Sequence, residues 1–288
     1  MREFGVGMSI MRVRGIVIAM AAIGLALTGS GPASAASPVT CGSFLEEDGY
    51  LTADLYCPNG NGIDLGLEVT LDLRGHRLIG PGADSTGTAN GYGVGVKLAP
   101  VWPSRVINGT IQGWPVGVGG NDDWDTHVDA ALNDVVLVTN GTAVEANQAS
   151  LDLARITLRG NRVGVHGRSQ GESGSRVSMT ESAFVGNEVA FQVDPRTTVN
   201  LQHNIFQRNG VGYTVTAGES DGYQALLTGN TFIRNGDGVN VAIPGTSLGS
   251  NTALRNSGWG IYAPGATDLG GNTARRNGNR PQCVGVSC

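Results

Sequence analysis

The sequence contains little charge, few aromatic residues and almost no lysine. Charged residues make up 15% and aromatic residues 6% of the 288 positions, and Lys97 is the only lysine among 19 basic residues. Three arginines and one glutamate lie before residue 36, so the rest of the chain keeps 16 basic and 23 acidic residues and a formal net charge of −7. A nucleic acid partner is not expected at this charge.

Several familiar sequence signals are also missing. No window beyond the N-terminus has the 3.6-residue period of an amphipathic helix. The chain has no phosphate-binding glycine loop, zinc motif or nucleophile elbow, which argues against the corresponding nucleotide, zinc and serine hydrolase chemistry. The terminal arginines Arg275, Arg276 and Arg280 are expected to form a solvated end.

The only long apolar run lies near the N-terminus. Residues 15–27 are apolar, Arg12 and Arg14 precede them, and residues 33–35 form an Ala-Ser-Ala cleavage signal. The run is too short to span a bilayer. These features predict a secretory signal over residues 1–35 and a secreted, extracellular protein with no membrane span once the signal is removed.

Glycine and asparagine are abundant, and asparagine recurs at a nearly constant period. The gaps between successive members of this row, here called the asparagine ladder, are 21, 26, 22, 26, 21 and 21 residues. A repeat of this length predicts a solenoid. The ladder consists of Asn140, Asn161, Asn187, Asn209, Asn235, Asn256 and Asn277. A second polar row keeps step with it and consists of Asn133, Ser182, Asn204, Asn230, Asn251 and Asn272.

Short alternating runs follow the ladder asparagines, as in residues 165–168 and 191–194. Alternation at period two predicts strands with one buried face. The residue three positions before each ladder asparagine is apolar and is phenylalanine at 184, 206 and 232. Propeller blades and leucine-rich repeats have other periods. The prediction is an all-β, single-stranded, right-handed parallel β-helix of about nine coils, with the phenylalanines stacked inside.

The cysteines favour structural disulfides, because they lack metal-ligand spacing. About nine coils at about 4.8 Å each separate the two ends by about 40 Å, beyond the reach of a disulfide. Cys41 is therefore predicted to pair with Cys57, and Cys283 with Cys288. The predicted organisation is an N-terminal cap over residues 36–62, a β-helix over 63–280 and a closed tail over 281–288.

Residues 51–58 (LTADLYCP) and 71–80 (LDLRGHRLIG) resemble the opening coils of secreted right-handed β-helix repeat proteins of the pectin-lyase-like superfamily. With the later asparagine coils, the resemblance covers most of the chain beyond residue 35. It implies the fold. It also implies an extracellular polysaccharide as partner, because the superfamily includes polysaccharide lyases, glycoside hydrolases, uronan epimerases and proteins without known catalysis.

Outward residues of the strands after the ladder are predicted to form a flat strip, because the coils stack in register. The strip begins with small residues, Gly95 and Gly117, and becomes ionisable in its middle. Three longer connections, residues 119–129, 169–175 and 217–223, follow this strand and are predicted to wall a groove. The candidate residues of the strip are Glu145, Asn147, His166, Arg168, Gln192, Asp194 and Thr214, with Trp124 from the first connection.

The first candidate reaction is β-elimination or C5 epimerisation of a uronan. His166 would remove the proton next to the carboxylate, and Arg168, Asn147 and Gln192 would hold the carboxylate. Thr214 and Trp124 would contact the substrate. Ca²⁺ would assist through Asp194 or through an acidic cluster in the first connection. That cluster is Asp122, Asp123 and Asp125.

Two alternatives remain open at this stage. Glu145 and Asp194 lie two coils apart, about 9.6 Å between backbones, which side-chain reach brings into the range of an inverting glycoside hydrolase. The other alternative is a non-catalytic module that binds glycan or a cell surface, or has a structural role. Paired charges on an open strip would favour this binding module. A monomer is expected in every case.

Overall fold

A computed structural model describes residues 36–85, 93–99, 103–120, 127–169, 174–216, 218 and 222–288. The described chain is a parallel β-solenoid without any helix, so none of its described segments offers a helix that could cross a membrane. One of its two sheets has eleven strands, one from each successive coil, which gives about ten turns. The predicted signal over residues 1–35 lies outside the described residues.

The described residues form thirty strands. Most have two to six residues, and two long ones, β9 and β11, continue around a bend. The strands are β1 Ser37–Pro38, β2 Ser43–Leu45, β3 Gly49–Tyr50, β4 Leu55–Tyr56, β5 Ile63–Leu65, β6 Thr70–Asp72, β7 Arg77–Ile79, β8 Val94–Lys97, β9 Ser104–Gln112, β10 Val116–Gly119, β11 Val128–Val138, β12 Thr142–Asn147, β13 Ala149–Ala154, β14 Thr157–Arg159, β15 Val163–Arg168, β16 Arg176–Thr180, β17 Ala183–Val185, β18 Val189–Val193, β19 Thr198–Gln202, β20 Ile205–Gln207, β21 Val211–Val215, β22 Gln224–Thr228, β23 Thr231–Ile233, β24 Asp237–Asn240, β25 Thr246–Gly249, β26 Thr252–Leu254, β27 Ile261–Tyr262, β28 Thr267–Gly270, β29 Thr273–Arg275 and β30 Cys283–Val284.

The strands form two parallel sheets. The front sheet has eleven strands in the order β2-β5-β8-β10-β12-β15-β18-β21-β24-β27-β30, and the long sheet contains the other nineteen. In each later coil the chain passes through one front strand and two long-sheet strands before it returns. The stack already includes residues 36–62, the segment predicted as a cap, because β2 pairs with β5 and β3 with β6.

The asparagine ladder follows the corner where the chain passes from the long sheet to the front sheet, and its members are buried. Asn187 shows the pattern. Its Oδ1 accepts hydrogen bonds from the backbone N–H and Nδ2 of Asn161, both at 2.9 Å. Its Nδ2 donates to the carbonyl of Leu158 and to Oδ1 of Asn209, both at 3.0 Å. Every donor and acceptor of this buried amide has a partner. Because the partners lie on the neighbouring coils, the asparagines fix the register in which successive coils stack.

A left-handed backbone residue precedes every ladder asparagine and turns the chain at the corner. The φ angles at these seven positions lie between 50° and 67°. Glycine adopts this conformation without steric cost, but only two of the seven are glycine. The positions are Thr139, Gly160, Gly186, Arg208, Arg234, Arg255 and Arg276.

The second polar row lies at the bend within the long sheet and begins at Ser182. Ser182 receives the N–H of Ile156 and donates its own N–H to Asn204 at 3.0 Å. The prediction that Asn133 belongs to this row is wrong. Asn133 pairs with Ala154 inside β11, and Val135 lies two residues later at the bend.

Large apolar residues stack along the inside of the solenoid. The rings of Phe184 and Phe206 are 4.5 Å apart, and those of Phe206 and Phe232 are 4.6 Å apart, nearly parallel in both cases. Leu137 and Leu158 extend this row toward the N-terminus, where they are also buried. The predicted internal stack is confirmed, and its dispersion contacts add to the burial of apolar surface.

Both ends of the stack carry a disulfide. Cys41 is joined to Cys57 and Cys283 to Cys288, with Cα–Cα distances of 5.6 and 6.2 Å. These are the two pairs that the predicted coil count requires. The first links the opening coil to its neighbour, and the second closes the tail after β30.

Candidate functional site

The front sheet brings the predicted strip residues together. The register places Glu145 beside His166, His166 beside Gln192, and Gln192 beside Thr214. A second row lies two residues further along each strand, where Asn147 is beside Arg168. Because the coils pair in register, these side chains lie on one face of the solenoid, with neighbouring coils about 4.8 Å apart.

Glu145 and Arg168 form an ion pair across adjacent coils. Nη1 of Arg168 lies 3.2 Å from Oε1 of Glu145. The carboxylate is mostly covered, with 18% of its side chain exposed, whereas 39% of the arginine side chain is exposed. A single contact of this kind leaves other guanidinium N–H groups of Arg168 available to a bound molecule.

His166 and Asp194 form the second pair. Nε2 of His166 lies 3.3 Å from Oδ1 of Asp194, and the hydroxyl of Thr216 donates to the same oxygen at 3.0 Å. Burial alone would raise the pKa of Asp194. Hydrogen bonds from His166, Thr216 and the Ser169 backbone, with the attraction of the imidazole, outweigh burial and hold that pKa below its usual value. An ionised carboxylate only accepts, so Nε2 of His166 carries the proton.

Asn147 differs from the other strip residues, because it is buried. Only 4% of the residue is exposed, and its Oδ1 has no hydrogen-bond partner among the described residues. Gln192 and Thr214 are half-buried and face outward, as predicted. A ligand on the open face therefore reaches Gln192 and Thr214 more readily than Asn147.

A shallow depression of about 320 Å³ lies over the N-terminal part of the strip. Gly119 and Gly120 form part of its lining, with Glu145, Arg162 and Arg168 around them. It exists because Gly119 pairs with Glu145 and presents no side chain at that position of the strip. Its charged lining has two guanidinium groups and one carboxylate. Asp84, which is 93% exposed and not part of the lining, lies 3.7 Å from Arg162. Both guanidinium groups can still donate to an acidic ligand.

Asp122, Asp123, Trp124 and Asp125 lie outside the described residues, as do residues 170–173, 217 and 219–221 of the other two connections. In the part of the chain that the structure describes, no group of three or more His, Cys, Asp or Glu side chains could hold a metal ion. The described ends of the three connections leave the front sheet after β10, β15 and β21, at its same edge.

The structure corrects the start of the strip and extends its end. Gly95 does not face outward, because a Cβ there would lie 2.6 Å from the carbonyl of Gly117. Gly117 is likewise packed against the carbonyl of Ala143. At the other end Tyr262 pairs with Asn240 in the outward row, and its ring lies 5.0 Å from that of Trp259. Extending the period-two pattern by one coil would have identified Tyr262.

No family model matches this chain, and neither a curated protein nor a solved structure matches it. The β-helix fold is therefore established by the strand pairing and the asparagine ladder themselves. Membership of the pectin-lyase-like superfamily stays a prediction from residues 51–58 and 71–80.

Proposed function

We propose that this protein is a non-catalytic glycan-binding β-solenoid that holds an acidic polysaccharide along the outward strip of its front sheet. The observation that carries the proposal is the pairing of the charges. Glu145 lies against Arg168, and His166 lies against Asp194. Side chains that contact one another in this way suit recognition better than proton transfer, which needs an available base or acid.

The arrangement of the strip supports an extended ligand. Gln192, Thr214 and Asn240 follow one another in register and offer amide and hydroxyl groups at about 4.8 Å intervals. Tyr262 and Trp259 form an aromatic surface at the end of this row. Such a row presents hydrogen-bonding groups and one apolar platform to successive units of a linear sugar chain.

The acidic character of the proposed ligand follows from the depression beside Glu145. Arg162 and Arg168 line it, and the acid nearest to Arg162, Asp84, is 3.7 Å away and almost fully exposed. Each guanidinium can donate two parallel hydrogen bonds to a carboxylate, the geometry that favours arginine for such groups. A uronan carries one carboxylate on every acidic sugar unit, so its chain would place one in the depression and its hydroxyls along the strip.

Elimination or epimerisation is the second candidate, because the same contact between His166 and Asp194 would also orient an imidazole for proton transfer. An ionised aspartate that accepts from Nε2 fixes the imidazole, as the orienting carboxylate does in other acid–base sites. The basic atom would then be Nδ1 of His166. Hydrolysis is less well supported, since the lowered pKa of Asp194 makes it a poor general acid.

Binding to polygalacturonate and alginate tests the proposal, with the Gln192→Ala/Thr214→Ala double variant compared against wild type. We expect the double variant to bind about tenfold more weakly, as two hydrogen bonds are lost. Ser178→Ala/Asn200→Ala is the matched control, because these two outward residues pair in the same way in the long sheet. Equal loss in both variants, or no binding by wild type, would overturn the proposal.

The same samples distinguish binding from catalysis. Ultraviolet absorbance from an unsaturated sugar product would show a lyase, and loss of that product in His166→Ala would assign the base. New reducing ends without unsaturation would show a hydrolase. Binding with neither product supports the non-catalytic proposal.

A further inference from the structure

Four arginines lie in register on one edge of the solenoid, at the corner of the asparagine ladder. Each directly precedes a ladder asparagine in a repeated Arg-Asn-Gly or Arg-Asn-Ser sequence. This set, the arginine ladder, consists of Arg208, Arg234, Arg255 and Arg276. Hydrogen bonds fix the register: the N–H of Arg208 donates to the carbonyl of Ile233, and that of Arg234 to the carbonyl of Leu254. The arginines are therefore about 4.8 Å apart along the axis.

The backbone conformation makes this use of arginine unexpected. All four have φ between 55° and 59°, in the left-handed region that disfavours residues with a Cβ. Gly160 and Gly186 fill the equivalent position in two earlier coils. Glycine is therefore compatible with this turn, and the turn conformation alone does not explain why four successive coils have arginine at the position.

No carboxylate compensates the arginine ladder within the described chain. All four residues are exposed, and no acidic oxygen lies within ion-pair distance of them. Asp237, three residues after Arg234, instead accepts the backbone N–H of Trp259 at 2.7 Å. Asp268, eight residues before Arg276, accepts the backbone N–H groups of Gly270 and Ser287, both at 2.9 Å. Like charges on neighbouring strands repel one another.

One arginine at the bend within the long sheet behaves differently. Arg155 also has a positive φ, but it forms two hydrogen bonds to Asp134 of the neighbouring coil, at 2.8 and 2.9 Å. The solenoid therefore pairs an arginine across coils where an acid is available. The arginine ladder instead leaves a line of four positive charges for an external partner.

The residues that follow the asparagines beside the arginine ladder have a small side chain or none. Gly210, Gly236 and Gly278 follow the asparagines, because a Cβ at these positions would meet the backbone of the preceding coil at 2.3 Å or less. The residues beside the arginines are therefore small, with Ser257 at the fourth position, which lets a chain-like ligand lie along the corner. Within the described coils the residues preceding these arginines, Gln207, Ile233, Leu254 and Arg275, include no aromatic platform for nucleobases.

We propose that the arginine ladder is a second binding surface, which takes a linear polysaccharide bearing carboxylates parallel to the solenoid axis. Its regular spacing fits a polymer with regularly repeated charges, and each arginine can form a bidentate contact with one carboxylate. The carboxylated polysaccharide is favoured over nucleic acid by the missing aromatic platform. This surface involves none of the strip residues and goes beyond the proposed function.

Salt-dependent binding of polygalacturonate tests the arginine ladder. Wild type binds the polymer at low salt and loses affinity steeply between about 50 and 200 mM salt, because bound counterions are released. Arg234→Gln/Arg255→Gln weakens binding about tenfold at low salt and flattens the salt dependence. The control is Arg105→Gln/Arg176→Gln, which makes the same charge change on two exposed long-sheet arginines and leaves affinity within about twofold.

The outcomes separate this surface from the outward strip. Loss in the arginine variant with retention in Gln192→Ala/Thr214→Ala supports the arginine ladder even where the proposed function fails. The reverse result overturns the arginine ladder and leaves the proposed function standing. Equal effects of the arginine variant and its control also overturn it. So does binding to single-stranded DNA or phosphatidylserine vesicles in preference to polygalacturonate. Unfolding midpoints equal to wild type show that the variants are folded.

Discussion

The side chain of Gln282 accepts two hydrogen bonds from Asn277, one from the backbone nitrogen at 2.8 Å and one from Nδ2 at 3.1 Å. In every earlier coil of the ladder the same two donors reach the Oδ1 of the next asparagine. Gln282 also donates to the carbonyls of Asn277 and Asn279. A glutamine five residues further along therefore ends the asparagine ladder without leaving buried donors unpaired.

Replacement of Gln282 by alanine is expected to destabilise the C-terminal coils. Two donors of Asn277 lose their acceptor, and an unsatisfied buried group costs about 1–3 kcal/mol. Urea unfolding checks this, with Gln224→Ala as control because Gln224 is an exposed strand residue. Equal stability of the two variants would show that water replaces Gln282 at no cost.

The stacking of phenylalanines gives a second stability prediction. Phe206 is fully buried between Phe184 and Phe232, so Phe206→Ala is expected to cost about 3–5 kcal/mol through lost contacts and a cavity. Phe206→Leu should cost less, about 1–2 kcal/mol, since Leu137 and Leu158 fill the same row in earlier coils. Denaturant midpoints of the two variants measure the difference. Equal losses would mean that the stacking geometry, and not the filled volume, provides the stability.

The sequence predicts those parts of the structure that repeat. The asparagine ladder, the internal phenylalanines and the neighbouring positions of Glu145 and His166 all follow from one spacing, because a coil that closes in register returns equivalent residues to equivalent places. Gln282 has no periodic signal, since it occurs once and acts through its place after the last coil. The repeated Arg-Asn motif of the arginine ladder is visible in the sequence. The lack of ion-pair partners among the described residues is seen only from the positions of the surrounding acids in the structure.

Errors occur where the strands depart from alternation. Ala143 and Val144 are adjacent and both fully buried, so the front strands contain two successive inward positions. Strict period-two reasoning therefore placed Gly95 and Gly117 on the wrong face. Asn133 was misplaced because the bend in β11 follows Asp134, which has a φ of 57°. A bend at a residue other than glycine is difficult to predict from a single sequence.

Asp194 predicts a pH dependence of stability. Its pKa in the folded protein is below the usual value, so it binds protons more weakly folded than unfolded. The stabilisation is fully present above the unfolded pKa of about 3.9 and is lost as the pH falls through the lower folded value. Wild type should exceed Asp194→Asn in stability by a margin that shrinks in acid, measured as unfolding midpoints between about pH 3 and 6.

His166→Ala provides the comparison for Asp194, because it removes one hydrogen bond and one charge that lower the pKa of Asp194. Its unfolding midpoint should vary less with acid than that of wild type. A margin between wild type and Asp194→Asn that stays constant over this range would show that the pair does not favour the ionised carboxylate.

Substitutions at the left-handed positions before the ladder asparagines distinguish a structural role of the arginines from a role in binding. Gly186 has a φ of 67° and open space where a Cβ would lie, so Gly186→Ala should cost about 1–2 kcal/mol from backbone conformation alone. Arg234→Gly makes the opposite change: it relieves the folded backbone and frees the unfolded chain, for a net effect within about 1 kcal/mol. Urea unfolding measures both variants.

The outcome for Arg234→Gly decides what the arginines do. If its free energy of unfolding falls by more than about 2 kcal/mol, the arginine stabilises its own turn through contacts, and the four arginines need no external partner to explain them. Unchanged stability together with weaker polygalacturonate binding would mean that arginine is present at these positions for its charge.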